Sequence, residues 1–451
     1  MNIIIVGSGK VGEALAAQLN KEGNNVTIVD ENPVKVKAIA NKYDIMGVIG
    51  NGACRSTQIE AEVDSTDLLI AVTGSDEVNL LCCLVAKKSA GCRTIARLKN
   101  PDYNIDASYF KDELGLSMVI NPELAAAREI AKILNFPSAM KIETFAKGRV
   151  ELLTFKIPEG SRIAGMSIKD VAIKLKTDVT FCTIERDEDA FIANGNFVFA
   201  ERDLVSIIAS PASAKKFFSQ INYNIQPIKD TIIVGGGAIT YYLADMLIRS
   251  GISVKIIEKN RDRCHELASE FEKAVVINGD PTDEDILREE GIGTASSFVA
   301  LTGLDEENIL LSIFAKKSGS RKVVTKVNRI EYDNITSQLD LDSIVHPKNI
   351  TADIIISYVR AMNNSGNSSI ETLYHLIGGK VEAAEFTVLE GSPIVGKPLM
   401  ELKFKSGVLI ANIRRGNTQI SPRGQTVIES GDSVVVVTKG IAMNDVSDIL
   451  A

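Results

Sequence analysis

Short apolar segments alternate with segments of helical periodicity through the first 120 residues of the chain. The apolar segments are residues 3–6, 26–29, 45–49, 68–72, 94–97 and 118–120, and the helical segments between them include 12–21 and 79–88. Continuous apolar strands separated by helices are typical of a parallel sheet that is covered by helices on both faces. The pattern therefore predicts a doubly wound α/β domain of the Rossmann type.

The second half of the chain repeats the first. Residues 72–81 read VTGSDEVNLL and residues 301–310 read LTGLDEENIL, so Thr302 follows Thr73 by 302 − 73 = 229 residues. Strand-like segments recur at 232–234, 254–257, 274–277, 297–301, 323–326 and 344–345. A repeat of this length indicates that a whole domain has been duplicated.

Each α/β domain is followed by a smaller segment of short strands in which apolar and polar residues alternate. These segments also match each other: residues 159–165 align with 390–396, residues 179–186 with 407–414, and residues 201–205 with 430–434. We therefore predict four domains. Two are Rossmann-like nucleotide-binding domains at 1–140 and 227–365, and two are small α+β domains at 141–226 and 370–451.

Composition narrows the functional classes. The chain has 451 residues and a net charge of −8, which argues against general binding of nucleic acid. The six cysteines form no C-x-x-C pair and the three histidines have no ligand spacing, so we predict reduced, mostly buried thiols and no metal site. No apolar run reaches the roughly 18–20 residues of a membrane-spanning helix, and the start of the chain does not read as a signal peptide. We therefore expect an intracellular protein.

A glycine-rich turn follows the first strand, and its residues are Gly7, Ser8, Gly9, Lys10, Val11 and Gly12. In the pattern G-x-G-x-x-G, the first glycine permits the tight turn, the second lets the backbone approach a pyrophosphate, and the third lets helix and strand pack closely. The amides of the helix N-terminus then face the phosphates. Asp30 ends the second strand, where a carboxylate can accept hydrogen bonds from both ribose hydroxyls. Together these features predict a nucleotide site.

The second copy of this motif is altered, and its residues are Gly235, Gly236, Gly237, Ala238, Ile239 and Thr240. Threonine replaces the third glycine, which mainly serves helix–strand packing, so we expect a weakened second site. Glu258 takes the place of Asp30. Because an acidic residue at this position repels a 2′-phosphate, NAD(H) or an adenine nucleotide is expected in preference to NADP(H).

Further candidates follow the other predicted strands, because ligands bind at the carboxyl ends of strands in open α/β sheets. They are Asn51, Thr73, Gly74 and Arg97 in the first copy, and Gly279, Asp280, Thr302, Gly303 and Lys326 in the second. A lysine cannot make the bidentate phosphate contact that an arginine makes, so the two sites are expected to differ. Asp76 and Asn79, like Asp305 and Asn308, are expected to cap the helix that follows.

The sequence gives no catalytic group beside either predicted site. A dehydrogenase needs a proton donor or acceptor near the hydride acceptor, but His265, His346 and His375 have no convincing partner by spacing. There is also no nucleophile elbow, P-loop or metal motif, so we predict that the protein is not an enzyme. The helices that start at Pro122 and Pro347 either pack on their own domains or cross over to pair subunits.

These motifs together resemble the RCK (regulator of potassium conductance) or KTN family, in a tandem arrangement that covers essentially the whole chain. The resemblance is carried by the opening IIIVGSGKVG, by Asp30, by AVTGSDE at 71–77, and by IAR at 95–97 followed by PDY at 101–103. The duplicated small domain, with its Gly-Asp turn at 431–432, completes it.

The resemblance implies a regulatory subunit that binds NAD(H), or alternatively ATP or ADP, through the glycine-loop, acidic and strand-end residues named above. It also implies a homo-oligomeric ring, a tetramer of tandem chains, located in the cytoplasm at the inner face of the cell membrane. Its partner would be a membrane K⁺ transporter of the TrkH or TrkG type. Two alternatives stay open: a soluble NAD-dependent oxidoreductase, and a nucleotide sensor for a different cation channel or antiporter.

Overall fold

The computed structural model describes residues 1–101, 103, 107–145, 149–176, 178–187, 189–221, 223, 226–328, 339, 341–363 and 368–451. Asp102 of the PDY segment and the predicted domain boundary at residue 365 lie outside the described residues.

The first α/β domain is a six-stranded parallel sheet. Its strands are β1 (Asn2–Val6), β2 (Asn25–Asp30), β3 (Met46–Ile49), β4 (Leu68–Ala71), β5 (Arg93–Arg97) and β6 (Met118–Ile120), in the order β3-β2-β1-β4-β5-β6. Its helices are α1 (Lys10–Lys21), α2 (Pro33–Tyr43), α3 (Arg55–Glu60), α4 (Asp76–Ala90), α5 (Ala107–Glu113) and α6 (Pro122–Asn135), with a 3₁₀ turn at Val63–Ser65. Residues 3–6 of β1 are all buried, as expected for a strand covered on both faces.

The first small domain is an antiparallel sheet. Its strands are β7 (Lys141–Phe145), β8 (Val150–Lys156), β9 (Thr180–Arg186), β10 (Asp189–Ile192) and β11 (Leu204–Ala209), in the order β10-β9-β11-β8-β7. Two helices accompany it, α7 (Ile168–Leu175) and α8 (Pro211–Gln220).

The second α/β domain repeats the first. Its strands are β12 (Asp230–Val234), β13 (Ser253–Glu258), β14 (Ala274–Asn278), β15 (Ser297–Ala300), β16 (Lys322–Lys326) and β17 (Ser343–Val345), in the order β14-β13-β12-β15-β16-β17. Its helices are α9 (Ala238–Arg249), α10 (Arg261–Glu270), α11 (Glu284–Glu289), α12 (Asp305–Ser318) and α13 (Pro347–Asn363).

The second small domain is again an antiparallel sheet. Its strands are β18 (Ser368–Leu376), β19 (Val381–Val388), β20 (Val408–Arg415), β21 (Thr418–Ile420) and β22 (Ser433–Lys439), in the order β18-β19-β22-β20-β21. Short 3₁₀ turns lie at Leu399–Glu401 and Val446–Ile449. The predicted fold class, two Rossmann-like domains each followed by a small α+β domain, is therefore confirmed.

The predicted alignment of residues 179–186 with residues 407–414 is wrong by one residue. In the first, Arg186 donates two hydrogen bonds to the Asp203 carboxylate, both at 2.7 Å. In the second, Arg415 and not Arg414 makes the same bidentate contact with Asp432, at 2.9 Å for both bonds. The register irregularity between Ile410 and Asn412 in β20 has its counterpart between Phe181 and Thr183 in β9, so the two strands correspond at a constant offset of 415 − 186 = 229 residues.

The described residues form two compact units. One contains both parallel sheets (1–131, 230–341 and 345–352), and the other contains both antiparallel sheets (132–229, 342–344 and 353–451). Helices α6 and α13 each begin in the first unit and end in the second. Packing on their own domains and pairing of subunits therefore both stay predictions for these helices.

The cysteines behave as predicted: all six are free thiols, five of them are buried, and Cys54 is exposed. Burial raises the pKa of the Cys82 thiol to about 12. Such a thiol is uncharged at neutral pH and packs as a small apolar side chain.

A buried charge network holds α13 to the second small domain. Arg360, only 2% exposed, donates two hydrogen bonds to the Glu382 carboxylate at 2.9 and 3.0 Å. His375 lies between two carboxylates, with its Nδ1 atom 2.6 Å from Asp353 Oδ1 and its Nε2 atom 3.5 Å from Glu382 Oε1. Burial would lower the pKa of His375, but the hydrogen bonds from the imidazolium to these carboxylates raise it to about 9. The imidazole is therefore charged at neutral pH.

We expect this histidine to make stability fall at alkaline pH. Its folded-state pKa of about 9 lies above the ordinary value of 6.5, so its contribution is fully present below pH 6.5 and is lost as the pH rises through about 9. A shift of this size corresponds to a loss on the order of 3 kcal/mol. Between pH 6 and pH 9.5, the unfolding temperature of His375→Gln should fall less than that of the wild type. The exposed His265 provides the control variant, His265→Gln; equal declines in all three proteins would contradict the assignment.

Candidate nucleotide-binding sites

The first glycine loop connects β1 to α1 and is held tightly against β4. Gly7 has a φ of +111°, and a Cβ atom added there would lie 2.9 Å from the backbone nitrogen of Thr73. A Cβ atom on Gly12 would lie 1.8 Å from the carbonyl oxygen of Gly7. By contrast, no atom of the described residues lies within 4 Å of a Cβ atom added to Gly9. Packing therefore requires the first and third glycines, whereas the second faces open space, as a phosphate would need.

Asp30 ties this loop to the end of β2. Its carboxylate accepts hydrogen bonds from the backbone amides of Ser8, at 2.7 Å, and Asn32, at 2.9 Å. Partial burial would raise the pKa of Asp30, but these amide hydrogen bonds bring it below its ordinary value. The carboxylate is thus ionised and fixed beside the loop, in the position from which it can accept ribose hydroxyls.

The turn after β3 lies beside this carboxylate. The amide of Gly50 donates to the carbonyl oxygen of Asp30 at 3.0 Å. Asn51 is exposed, and its Oδ1 atom accepts from the amide of Ala53 at 2.9 Å. The structure therefore brings Asn51 to the edge of the sheet that carries the glycine loop, with its amide group turned back on its own loop.

The prediction that Asp76 and Asn79 cap the next helix is wrong. Helix α4 is capped by Ser75, whose hydroxyl accepts from the amide of Val78. The fully buried Asn79 instead accepts from the amide of Thr73 at 2.8 Å and donates to the carbonyl oxygen of Arg97 at 2.9 Å. It therefore clamps the turn after β4 to the end of β5.

Asp76 has a similar role one strand further along. Its Oδ2 atom accepts from the amides of Lys99, at 2.9 Å, and Asn100, at 2.8 Å, in the loop after β5. Both side chains were misassigned because a capping pattern is local, whereas Asp76 binds amides 23 and 24 residues away and Asn79 reaches Arg97, 18 residues away.

Arg97 is the last residue of β5, as predicted, but its side chain is already paired. Its Nη2 atom contacts Oε1 of Glu123 in the first turn of α6. The Nε atom of Arg97 and the Oε2 atom of Glu123 are buried and have no hydrogen-bond partner among the described residues. A phosphate at this site would therefore compete with Glu123 for the guanidinium. Glu123 was missed by sequence reasoning, although it directly follows Pro122 at a helix start.

The second site has the same construction with different side chains. Gly235 has a φ of +95°, and a Cβ atom there would lie 2.9 Å from the carbonyl group of Leu301. Glu258 accepts from the amides of Gly236, at 2.6 Å, and Asn260, at 2.7 Å, as Asp30 does in the first site. The fully buried Thr240 donates its hydroxyl hydrogen to the carbonyl oxygen of Gly235.

The strand-end residues of the second site also match those of the first. Asn308 accepts from the amide of Thr302 at 2.8 Å and donates to the carbonyl oxygen of Lys326 at 3.1 Å, which repeats the clamp of the first site. Asp280 accepts from the amide and the hydroxyl of Thr282, and these hydrogen bonds lower the pKa of its carboxyl group. Gly279 packs against Ile286, because a Cβ atom there would lie 2.9 Å from Cδ1.

Arg263 distinguishes the second site and was not anticipated. Its Nε atom donates to the carbonyl oxygen of Gly236 at 2.7 Å, so a guanidinium lies on the glycine loop. Its counterpart in the first copy is Lys35, and only the charge of the two residues is similar. No sequence signal places Arg263 on the loop, since it lies in the first turn of a helix of ordinary composition.

Both sites fit a nucleotide. Helices α1 and α9 begin directly after Gly9 and Gly237, and no side chain among the described residues caps either helix. Their first-turn amides therefore point out of the helix ends without side-chain partners, next to a fixed carboxylate. A Cβ atom on Gly74 or Gly303 would also meet no described atom within 4 Å, which leaves open space at the turns after β4 and β15.

Two parallel α/β domains with paired glycine loops and acidic strand ends define a chain with tandem Rossmann-type nucleotide-binding domains. Residues 3–122 and 231–347 match the family model described as the TrkA-N domain. Residues 152–222 and 383–451 match the model described as the TrkA-C domain. The chain therefore belongs to the TrkA family.

Individual proteins support this membership. The Trk system potassium uptake protein TrkA homolog 1 of Methanosarcina mazei is 33% identical over 454 residues, which cover 99% of both chains. The crystal structure of the GsuK RCK domain is similar over 97% of this chain and 92% of its own, with a TM-score of 0.65 and 18% identity. The GsuK channel bound to NAD covers 97% of this chain and 77% of its own, with a TM-score of 0.64 and 17% identity. These two structures show that the tandem RCK fold is shared.

Within the described part of the chain, none of the helices combines the length and the apolar character that crossing a membrane requires.

Proposed function

We propose that this chain is a nucleotide-binding regulatory subunit of a Trk-type potassium uptake system. The observation that carries the proposal is the pair of glycine loops, each with an uncapped helix start and an ionisable carboxylate fixed by a backbone amide of the loop. Family membership supplies the context, because the relative from Methanosarcina mazei is named as a potassium uptake protein. We further propose the four-domain division at 1–140, 141–226, 227–365 and 370–451.

The proposed ligand of the first site is NAD(H), with ATP or ADP as alternatives. The loop of residues 7–12 would hold the phosphates through the first-turn amides of α1, because the amides of Gly7 and Ser8 already donate to Val29 and Asp30. Asp30 would accept the ribose hydroxyls. Thr73, Gly74 and Arg97 would border the phosphates, and Asn51 would border the adenosine half. A bound nucleotide would signal the redox state or the adenylate charge of the cell. No covalent bond of the nucleotide would be made or broken.

The second site would bind more weakly or more selectively. Residues 235–239 and Glu258 repeat the phosphate and ribose positions, and Gly279, Asp280, Thr302 and Gly303 repeat the edges. Lys326 replaces the arginine, so a phosphate there meets a point charge instead of a planar fork.

Regulation would follow from differential binding. A nucleotide shifts a gate only by the difference between its affinities for two arrangements of the protein, typically about 1–3 kcal/mol of coupling per site. Two unlike sites would let redox state and adenylate charge be compared within one chain. If Asp30→Ala and Glu258→Ala changed transport regulation identically, the two sites could not be sensing different signals.

We expect Asp30→Ala to remove nucleotide binding at the first site. The variant loses a charged acceptor for the ribose and also the anchor of the Ser8 amide, so affinity should fall by about 100-fold, or roughly 3 kcal/mol. Calorimetric titration with NADH, NAD⁺, ATP and ADP measures this. Glu31→Ala is the matched control, because Glu31 is the neighbouring carboxylate and is exposed.

The outcome also separates the alternatives. Saturable binding without consumption of nicotinamide agrees with a regulatory subunit. Turnover of NADH with a small substrate would favour an oxidoreductase. Absence of binding by all four nucleotides in the wild type would rule out the proposal.

For assembly, we propose a ring of several chains, with a tetramer as the expected size, located at the inner face of the membrane beneath a TrkH- or TrkG-type transporter. Leu81 on α4 and Leu310 on α12 occupy equivalent positions of the two repeats and are 48% and 67% exposed. Large aliphatic side chains that are exposed at the same position in both copies are suited to contacts between chains.

We expect Leu81→Asp combined with Leu310→Asp to reduce the assembly to smaller species, because charges would be buried in the contact. Sedimentation or mass photometry measures the mass. Val34→Asp is the control: Val34 is 76% exposed, and the second repeat carries Asp262 at the equivalent position. An unchanged mass in the double variant would exclude this face from the ring contact.

A further inference from the structure

Tyr242 joins the two α/β domains of the first compact unit. It lies on α9, the helix that begins at the second glycine loop, and it is only 8% exposed. Its hydroxyl donates to the carbonyl oxygen of Lys99 at 3.1 Å and accepts from Nδ2 of Asn121 at 2.9 Å. Both partners belong to the first domain, in the loops after β5 and β6. A buried hydroxyl with two such bonds fixes the position of α9 relative to those loops.

Lys99 continues this connection to the first site. Its Nζ atom donates to the carbonyl oxygen of Gly74 at 2.7 Å, and its amide donates to the buried Asp76 at 2.9 Å. Gly74 lies in the turn proposed to border the phosphates. A single residue therefore touches both the ligand turn of the first site and the tyrosine that positions the helix of the second site.

Within the described residues, the connection exists in one direction only. The repeat places Ala14 where Tyr242 stands, and Asn328 where Lys99 stands. Alanine has no polar group, so the symmetry-related link cannot form. Asn328 instead donates from its side chain to Asp305 at 2.8 Å. Since duplicated domains start out alike, a tyrosine that links them on one side alone is a feature of this chain and not of the fold.

A second set of charges meets at the same junction. Burial lowers the pKa of the Lys326 ammonium group, and among its charged neighbours are Lys10 of the first glycine loop and Glu123, the partner of Arg97. A phosphate that drew Arg97 away from Glu123 would therefore change the charge that faces Lys326.

We propose that Tyr242 is a positioning residue that couples the two nucleotide sites of one chain. A ligand that moves the Gly74 turn moves Lys99, and through the Tyr242 hydroxyl it changes the setting of α9, whose first turn faces the second site. By linkage, a ligand at the second site changes the first site by the same factor. This inference rests on the proposed function, because it requires both sites to bind nucleotide.

The test compares linked and isolated sites by calorimetric titration with NADH and with ADP. Glu258→Ala reports the first site alone, Asp30→Ala reports the second site alone, and the wild type reports both together. Coupling is the ratio between the dissociation constants in the wild type and those of the isolated sites. We expect this ratio to be at least about five. In the Tyr242→Phe background the same set of variants should give a factor below about two, with the isolated affinities unchanged within about twofold.

Tyr241→Phe is the matched control. This adjacent tyrosine undergoes the same chemical change, but its hydroxyl donates to Glu270 within its own domain at 2.8 Å. It should keep the wild-type coupling. Retained coupling in Tyr242→Phe, or independent sites in the wild type, would overturn the inference.

The remaining outcomes separate the inference from the proposed function. Binding in Glu258→Ala with none in Asp30→Ala would overturn the inference and leave the proposed function standing, whereas no binding in the wild type would overturn both. A further measurement needs no Tyr242 variant. NADH bound to Glu258→Ala should alter amide hydrogen exchange in residues 238–249, and unchanged exchange there would overturn the inference.

Discussion

Replacing Gly12 by alanine is expected to destabilise the first α/β domain by about 3 kcal/mol, because the added Cβ atom would lie 1.8 Å from the carbonyl oxygen of Gly7. The obstacle is backbone, so no side-chain rotation relieves it, and α1 must move away from the loop. Displacement of the helix start should also weaken nucleotide binding at the first site by about tenfold or more, which corresponds to about 1.4 kcal/mol. Denaturant unfolding and calorimetric titration measure the two effects.

Gly9→Ala separates stability from binding. Gly9 has an ordinary extended backbone, with φ −74° and ψ −177°, and the space around its missing side chain is open. Stability should therefore change by less than about 0.5 kcal/mol. Binding should still weaken, because a methyl group would enter the space reserved for the phosphates. If Gly9→Ala destabilised the domain as much as Gly12→Ala does, the packing argument for Gly12 would fail.

Replacing Arg360 by methionine is expected to cost about 3–5 kcal/mol of stability in the second unit. The guanidinium is buried, pairs with both oxygens of Glu382 and donates to the carbonyl oxygen of Met443 at 2.9 Å. Methionine fills a similar volume, but the buried Glu382 carboxylate loses both hydrogen bonds from Arg360 and keeps only its contact with His375 and its other partners. That carboxylate has a pKa of about 2: burial would raise it, and the hydrogen bonds from His375 and Arg360 lower it. Thermal unfolding of the full chain measures the loss.

The control for this prediction is a surface arginine. Arg249 pairs with Asp245 one helical turn away, and their side chains are 78% and 41% exposed. Arg249→Met should therefore change stability by less than about 1 kcal/mol. Similar losses for Arg249→Met and Arg360→Met would mean that burial of the pair contributes nothing.

The two nucleotide sites show how far a duplicated fold can diverge while its backbone is kept. Both retain the asparagine clamp, through Asn79 and Asn308, and both retain a carboxylate that receives two amides. They differ in the side chains that would contact a ligand: Arg263 lies on the second loop, and Lys326 replaces Arg97. The shared residues are constrained by backbone geometry, whereas the side chains that would contact a ligand only have to suit that ligand.

The sequence by itself determined the architecture and the position of the two glycine loops at which the nucleotide sites are proposed. Strand and helix periods are local properties of the chain, and six apolar strands separated by helices leave little choice other than a parallel sheet. The glycine loops and the acidic residues Asp30 and Glu258 were also predictable. Their geometry depends on a few neighbouring residues at a strand end, and the duplication repeats the signal.

Only the tertiary structure decided the roles of residues whose partners are distant in sequence. Asp76 and Asn79 looked like helix caps but hold the ends of other strands, and Tyr242 reaches Lys99 across 143 residues. The same holds for the contact of Arg360 with Glu382 and for the choice of Arg415 over Arg414. The identity of a polar side chain does not indicate which distant residue will be its hydrogen-bond partner. That partner is fixed only when packing of the apolar surfaces brings distant segments together and leaves each buried polar group to find a hydrogen bond.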